Sequence, residues 1–349
     1  MTLIDRTAHN GGHPERPKRS AAPGRPGRRP GNSRRRRSRG IIIAIAALVL
    51  AAAIAGHRFI PETGGLGLVW ESALPWAWVL VAALAVLALF RRSLVAGAGV
   101  LVAALTWSAL FLPGLPFQGQ PMPADADTSA GGKSTELVVA THNVGARLPQ
   151  PTATANSLID SGADIVSVQE LAGKSGGIIG ERLTAAYRYH KIVGTVGLWS
   201  RYPISDVTRQ DLGMDWTRAF SATVTTPAGD VRVYAAHLPS VRPGAESARN
   251  DALERLASTV AADDAERIIL AGDLNTAATD RHLVALTDQL TDTSMSKAGD
   301  FGFTWPSKAP VTRPDHVMVK GIDVVSDQVL PSISSDHRAV IARVALPQG

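Results

Sequence analysis

Three runs without a single charged residue occupy the first third of the chain: Ile41–Ala55, Leu74–Phe90 and Ser93–Leu112. A helix made of such residues is apolar on every side, so it must lie in a protein core or in lipid. The flanks favour lipid. Trp70, Trp76 and Trp78 gather at the start of the second run as an interfacial belt would, and Arg91-Arg92 closes it. The third run carries Gly97 and Gly99, small residues that let helices approach closely. The first run is the shortest; it stops at Gly56, with Arg58 following, and reaches a span of roughly 20 residues only if Phe59 and Ile60 are included. A cleaved signal peptide is its alternative reading. The expectation is three transmembrane helices, at about 41–60, 74–90 and 93–112.

Charge sets the expected orientation. Met1–Gly40 holds 12 Lys/Arg against two acids, a net of +10, with abundant Pro, Gly and Ser. It reads as a disordered basic cytoplasmic tail suited to anionic membrane lipid, nucleic acid being its less common use. The tail and Arg91-Arg92 are basic, whereas the Arg58–Glu71 loop carries one Arg and two acids. Three spans then put everything after Leu112 outside the cell. The absence of Cys is compatible with either side of the membrane.

Pro113–Lys133, rich in Pro, Gly, Ala and Asp, reads as a linker, and 134–349 as one globular domain. That domain has 20 Lys/Arg and 24 Asp/Glu, a net of −4, so the overall +6 belongs to the tail. Strands are expected at Leu137–Ala140, Asp164–Val168, Val193–Ser200, Ala222–Thr226, Val231–Ala236, Ile268–Leu270, His316–Val319 and Ala339–Val344, and helices at Thr152–Ser161, Glu246–Ala262 and near Arg281–Leu290. The alternation predicts an α/β fold.

Polar residues recur where these strands end. Ile268-Ile269-Leu270-Ala271-Gly272 is a buried strand whose small residues let the backbone pass close to a neighbour, and Asp273 and Asn275 follow at a spacing of two. On an extended backbone that spacing puts both on one side. Asn143, Glu170, His237, Asp315, Asp336 and His337 complete the set. Glu170 follows an apolar run, where a carboxylate is costly unless it pairs or binds metal. His337 beside a carboxylate suits acid/base chemistry. The donors are oxygen-rich and include no Cys, which predicts a hard cation: Mg²⁺, or else Mn²⁺ or Ca²⁺.

The ordered pieces Thr141-His142-Asn143-Val144, Val168-Gln169-Glu170, Leu198-Trp199-Ser200-Arg201-Tyr202-Pro203-Ile204, Ala236-His237-Leu238, Ala271-Gly272-Asp273-Leu274-Asn275-Thr276, Arg313-Pro314-Asp315-His316-Val317 and Ser335-Asp336-His337-Arg338 resemble the endonuclease/exonuclease/phosphatase superfamily. The resemblance implies a DNase I-like four-layer α/β sandwich with the site at one rim of two packed sheets. It implies Glu170 as principal metal ligand with Asn143 and Asp336 beside it. It further implies Asp273 orienting or deprotonating the water, Asn275 and His237 as donors to phosphoryl oxygens, and His337 oriented by Asp315. Arg218 lies where several relatives place an arginine that contacts substrate. Two departures stand out: Gly194-Thr195-Val196 where many relatives have a Tyr, and Gly145 where some nucleases have an acid.

Three membrane spans before such a domain look like the actinobacterial membrane phosphohydrolases of the glycopeptide-resistance VanJ type. That likeness implies an antibiotic-resistance role and a lipid-linked substrate of the undecaprenyl pyrophosphate kind, hydrolysed outside the cell. The sequence leaves open a membrane-anchored nuclease of the same fold, which the net −4 disfavours because polynucleotide binding needs Lys/Arg. It also leaves open a non-catalytic binding protein, against which Glu170, Asp273 and His337 argue.

Overall fold

The computed structural model describes residues 31–112, 135–241, 246–296 and 301–347. Most of the expected basic tail and the expected linker lie outside these residues. Four helices come first: α1 (Gly31–Ala55), α2 (Leu66–Ala73), α3 (Ala77–Arg91) and α4 (Leu94–Phe111). Helix α1 starts at Gly31, inside the stretch read as disordered; arginine is a good helix former and extends the apolar helix backwards. Helices α1, α3 and α4 bury Ala47, Ile54, Ala77, Val81, Ala96 and Ala103 against one another. A Cβ on Gly99 would stand 3.0 Å from the Ala44 backbone, so this glycine sets how closely α4 approaches α1. Two stretches, Thr63–Arg91 and Leu94–Phe111, are long and apolar enough to cross a membrane; the apolar part of α1, Gly40–Ala55, is shorter.

The remainder is two mixed six-stranded sheets. In one, the order is β11 (Asp323–Val329), β12 (Val340–Leu346), β1 (Thr135–Asn143), β2 (Ile165–Gln169), β4 (Val196–Ser200), β3 (Tyr189–Val193). In the other it is β5 (Ile204–Arg209), β6 (Ala219–Thr226), β7 (Gly229–His237), β8 (Ile268–Asp273), β10 (Asp315–Lys320), β9 (Thr291–Asp292). Each sheet has one parallel pair, β1 with β2 and β7 with β8, and its other pairings are antiparallel. Val139, Ile165, Leu198, Phe220, Val233, Ile269 and Val317 meet between the sheets. Helices α5 (Pro151–Asp160) and α6 (Gly173–Ala186) cover the outside of the first sheet. Helices α7 (Glu246–Ala261) and α8 (Val284–Thr287) cover the second, which makes four layers.

The structure differs from the sequence reading at several places. Val193–Ser200 is not one strand but the turn and second arm of a hairpin, because Gly194 (φ 62°) reverses the chain between β3 and β4. Helix α6, whose buried stripe of Gly176, Ile179, Gly180 and Leu183 is half glycine, and the edge strands β5 and β11, which carry no apolar alternation, were not expected. The helix expected near Arg281–Leu290 is a 3₁₀ turn, Arg281–Leu283, followed by the four-residue α8.

The two parts are joined by polar contacts, the Glu71 ones buried and the Glu62 one exposed. Glu71 is 1% exposed; its Oε1 accepts from Arg281 Nε at 2.7 Å, and its backbone carbonyl accepts from Thr279 Oγ1 at 2.6 Å. His282 Nε2 lies 2.6 Å from Glu62 Oε1.

Candidate active site

Both parallel pairs end at the same rim. A parallel neighbour brings C-terminal ends together, so Asn143 closes β1 beside the residue preceding Glu170, and His237 closes β7 directly beside Asp273 of β8. Asp315, the first residue of β10, is in register with Asp273 from the other side. His237, Asp273 and Asp315 are therefore three cross-strand neighbours in one row, and register partners project to the same face. A Cβ on Gly272 would fall 1.9 Å from the Ala236 carbonyl oxygen; only glycine permits β8 to lie this close to β7. The first sheet supplies the opposite wall. Ser335 Oγ donates to the Asn143 carbonyl at 2.7 Å and accepts from His337 N at 3.0 Å, which pins His337 over the row.

At the centre, the Asn143 amide donates to Asp273 Oδ2 at 2.8 Å and Glu170 Oε1 at 3.1 Å. His337 Nδ1 donates to Asp315 Oδ2 at 2.9 Å, leaving Nε2 3.8 Å from Asp273 Oδ2. Asp315 Oδ2 also accepts from Thr304 Oγ1 at 2.6 Å. His237 Nε2 sits 3.8 Å from both Glu170 and Asp273. Arg218 Nη2 stands 3.3 Å from that same nitrogen, and a guanidinium can only donate, so Nε2 is the acceptor.

Burial separates the protonation states of like residues. For Asp273, burial is the largest cause and the Asp315 charge the next; together they push its carboxyl up to about 7. Burial also opposes charge on His337, but the Asp315 charge and hydrogen bond prevail and raise it to about 10. His237 is driven the other way, to about 3, by burial and then by the Arg218 charge. His142, buried behind the site with Nε2 3.3 Å from the His337 carbonyl, falls to about 4 through burial. At neutral pH the site thus holds one imidazolium, His337, beside two neutral imidazoles.

Asp273, Asp315 and His337 offer ligand atoms within 4.8 Å of one another. His337 is a poor ligand of that set, since Nδ1 is committed to Asp315 and the ring is charged. The carboxylates of Glu170 and Asp273 converge and offer oxygen donors that fit a hard divalent cation, whereas Asn143, expected as a ligand beside them, turns its Nδ2 to both while its Oδ1 accepts from Gly145 N at 3.0 Å.

Several predicted residues stand differently from the expectation. Glu170 follows the buried strand as expected, since β2 ends at Gln169, but it is not itself buried: it turns out with φ 62° and a side chain 29% exposed. Asn275 does not continue the extended backbone: φ is 48°, its N–H donates to Asp273 Oδ1 at 2.9 Å, and its Nδ2 donates to the Leu238 carbonyl at 2.9 Å. Asp336 is exposed at the rim, with Oδ1 facing Gly145, where a Cβ would come within 3.3 Å. Arg218, read only as a substrate contact, also touches His237. Thr304 and Ser335 were missed. Thr304 alone is polar within Phe303-Thr304-Trp305, a weak signal that becomes meaningful only through Asp315.

A model of the endonuclease/exonuclease/phosphatase family matches residues 140–337, a span that includes every site residue above. No curated protein matches the chain. Among solved structures, the endonuclease/exonuclease/phosphatase from Bacteroides vulgatus aligns at 19% identity and a TM-score of 0.51, covering 61% of this chain and 99% of its own. Humanized D. rerio TDP2 aligns at 15% identity and a TM-score of 0.51, over 60% and 98%. D. rerio TDP2 complexed with a single-strand DNA product aligns at 15% and 0.51, over 60% and 99%. At these identities the likeness is one of fold.

Proposed function

Since this chain belongs to the endonuclease/exonuclease/phosphatase family, we propose that it is a metal-dependent phosphohydrolase that cleaves a phosphoester or phosphoanhydride bond of a lipid-linked substrate at a membrane surface. One observation carries the chemistry: a buried imidazolium, His337, faces a buried carboxylate, Asp273, poised to ionise near neutral pH. Asp273 in its ionised form orients water and accepts its proton. His337, held by Asp315, donates to a phosphoryl oxygen as negative charge develops there. Arg218 is a further donor for those oxygens; Asn275, expected as another, spends its N–H on Asp273 Oδ1 and one Nδ2 hydrogen on the Leu238 carbonyl, which leaves only its second Nδ2 hydrogen for them. Glu170, with Asp273 beside it and Asp336 at the rim, would hold the cation, Mg²⁺ by donor chemistry, while Asn143 positions both carboxylates through its Nδ2. Bound there, the cation would neutralise charge spread over the phosphoryl oxygens.

The apolar helices and their polar contacts with the α/β part support membrane attachment. Three spans with the catalytic part outside follow from the charge distribution, and with them the likeness to the VanJ type of resistance protein. A second reading, a nuclease, draws on the single-strand DNA product held by a protein of this fold. Phosphate or nucleotide release by the full-length protein in nanodiscs with Mg²⁺, measured side by side on a prenyl pyrophosphate and on single-strand DNA, tests both. Faster, salt-sensitive cleavage of DNA would replace the first reading with the second.

A further inference from the structure

The loop that leads into the site also touches the apolar helices. Phe301 meets Phe111 edge-on at 5.5 Å and Trp107 at 6.3 Å. Phe303 stacks on Phe301 at 5.2 Å and on Trp76 at 5.7 Å. Trp76 Nε1 donates to the Val311 carbonyl at 2.9 Å and Trp107 Nε1 to the Leu74 carbonyl at 3.2 Å. The next residue, Thr304, is buried and holds Asp315. The aromatic ladder therefore ends one residue from the machinery that orients His337. Its tryptophans have satisfied N–H groups and partly exposed rings, the arrangement that suits a membrane–water interface. Along the helices from this ladder, α3 exposes Val79 and Leu80 and α4 exposes Leu101, Leu105 and Leu110. Apolar faces this continuous call for lipid. Two more tryptophans project at the rim: Trp305, 40% exposed, and Trp216, 58% exposed beneath the Arg218 guanidinium at 5.7 Å.

Resting on the phosphohydrolase reading, we infer that the ladder of Trp76, Trp107, Phe111, Phe301 and Phe303 seats the catalytic rim at headgroup depth and forms the apolar wall of the substrate subsite. The phosphate that reaches Asp273 and His337 is then carried by a lipid lying in the same bilayer as α3 and α4. Lifting a lipid chain into water costs free energy for every methylene exposed, and a site at this depth avoids that cost. The ladder, in this account, selects lipid phosphates over soluble ones.

The test uses the full chain, which has no native Cys. A fluorophore is placed on Lys308→Cys, in the exposed turn after Trp305, or on Asp264→Cys, in the exposed turn leading into β8 at the far end from the site. Each is measured in phosphatidylcholine nanodiscs containing lipid with a nitroxide in its headgroup. Strong quenching at Lys308→Cys with little at Asp264→Cys is expected; equal quenching at both, or none at Lys308→Cys, overturns the inference. In Phe301→Ala/Phe303→Ala, kcat/KM for a prenyl pyrophosphate should fall at least tenfold more than for bis(p-nitrophenyl) phosphate. Equal losses on both substrates would reduce the ladder to a structural support and overturn its role in selection. Hydrolysis of neither substrate by the wild-type protein would sink the phosphohydrolase reading, while the quenching still decides the seating.

Discussion

His337 Nδ1 donates to Asp315 Oδ2 at 2.9 Å, and the other ring nitrogen looks across 3.8 Å at Asp273. One carboxylate thus keeps the imidazole charged while the second waits for water. The working form needs Asp273 ionised and His337 protonated, so the rate should rise with pH up to about 7, earlier once a cation beside Asp273 favours its ionised form, and fall near 10. Asp315→Asn removes the charge that raises His337. The descending limb of kcat/KM against pH should then move to lower pH, with a loss of roughly 10²-fold at pH 8. An unchanged descending limb would detach His337 from the reaction.

Asp273 should also register in stability. Its folded pKa of about 7 exceeds the ordinary 3.8, so its protonated form is favoured by folding. That contribution is complete below about pH 4 and is lost as pH rises through 7. Asp273→Asn should therefore abolish turnover yet raise the thermal midpoint relative to wild type at pH 8, with the gain shrinking at pH 5. Unfolding followed by circular dichroism at both pH values checks the sign.

Thr304 is a positioning residue, acting through Asp315. Thr304→Val removes its 2.6 Å hydrogen bond and should lower kcat roughly tenfold with KM little changed. Thr304→Ser should restore most of the rate; failure of that rescue would mean that packing beside Phe303, not the hydroxyl, matters.

Glu170→Ala should eliminate Mg²⁺-dependent turnover, by about 10²-fold or more, with the fold intact. Calorimetry of Mg²⁺ binding provides a readout independent of turnover. Retained Mg²⁺ affinity would transfer the ligand role to Asp273 and its neighbours.

Arg281→Ala strands Glu71, whose side chain is 2% exposed, without its main partner. Breaking such a pair should cost about 3–5 kcal/mol, more than Glu71→Gln, which leaves no buried charge. Thermal unfolding of the full chain in detergent compares the two. Orientation has its own test: Ser20→Cys and Ser134→Cys, treated in intact cells with an impermeant thiol reagent. Labelling at Ser134→Cys alone is expected of an outward-facing enzyme; labelling of neither until lysis would place the site in the cytoplasm.

What the chain's own letters determined is local. Uncharged runs announced the first helices, short apolar runs announced most core strands, and the order of polar residues at strand ends announced the candidate site from Asn143 to His337. Elements with a weak apolar signature escaped: α6 has glycines at two of the four positions of its buried stripe, and β5 and β11 are sheet-edge strands without alternation. Only the tertiary structure aligned His237, Asp273 and Asp315 into one row, since register between strands tens of residues apart leaves no mark in the local sequence. Only it turned Glu170 towards solvent and Asn275 out of the strand pattern, and only it joined Phe301 and Phe303 to Trp76, Trp107 and Phe111. Protonation was decided there too. His237 and His337 are the same residue type in sequence; burial beside Arg218 makes one neutral, and burial beside Asp315 makes the other a cation, because charge in a low-dielectric interior answers to its nearest partners.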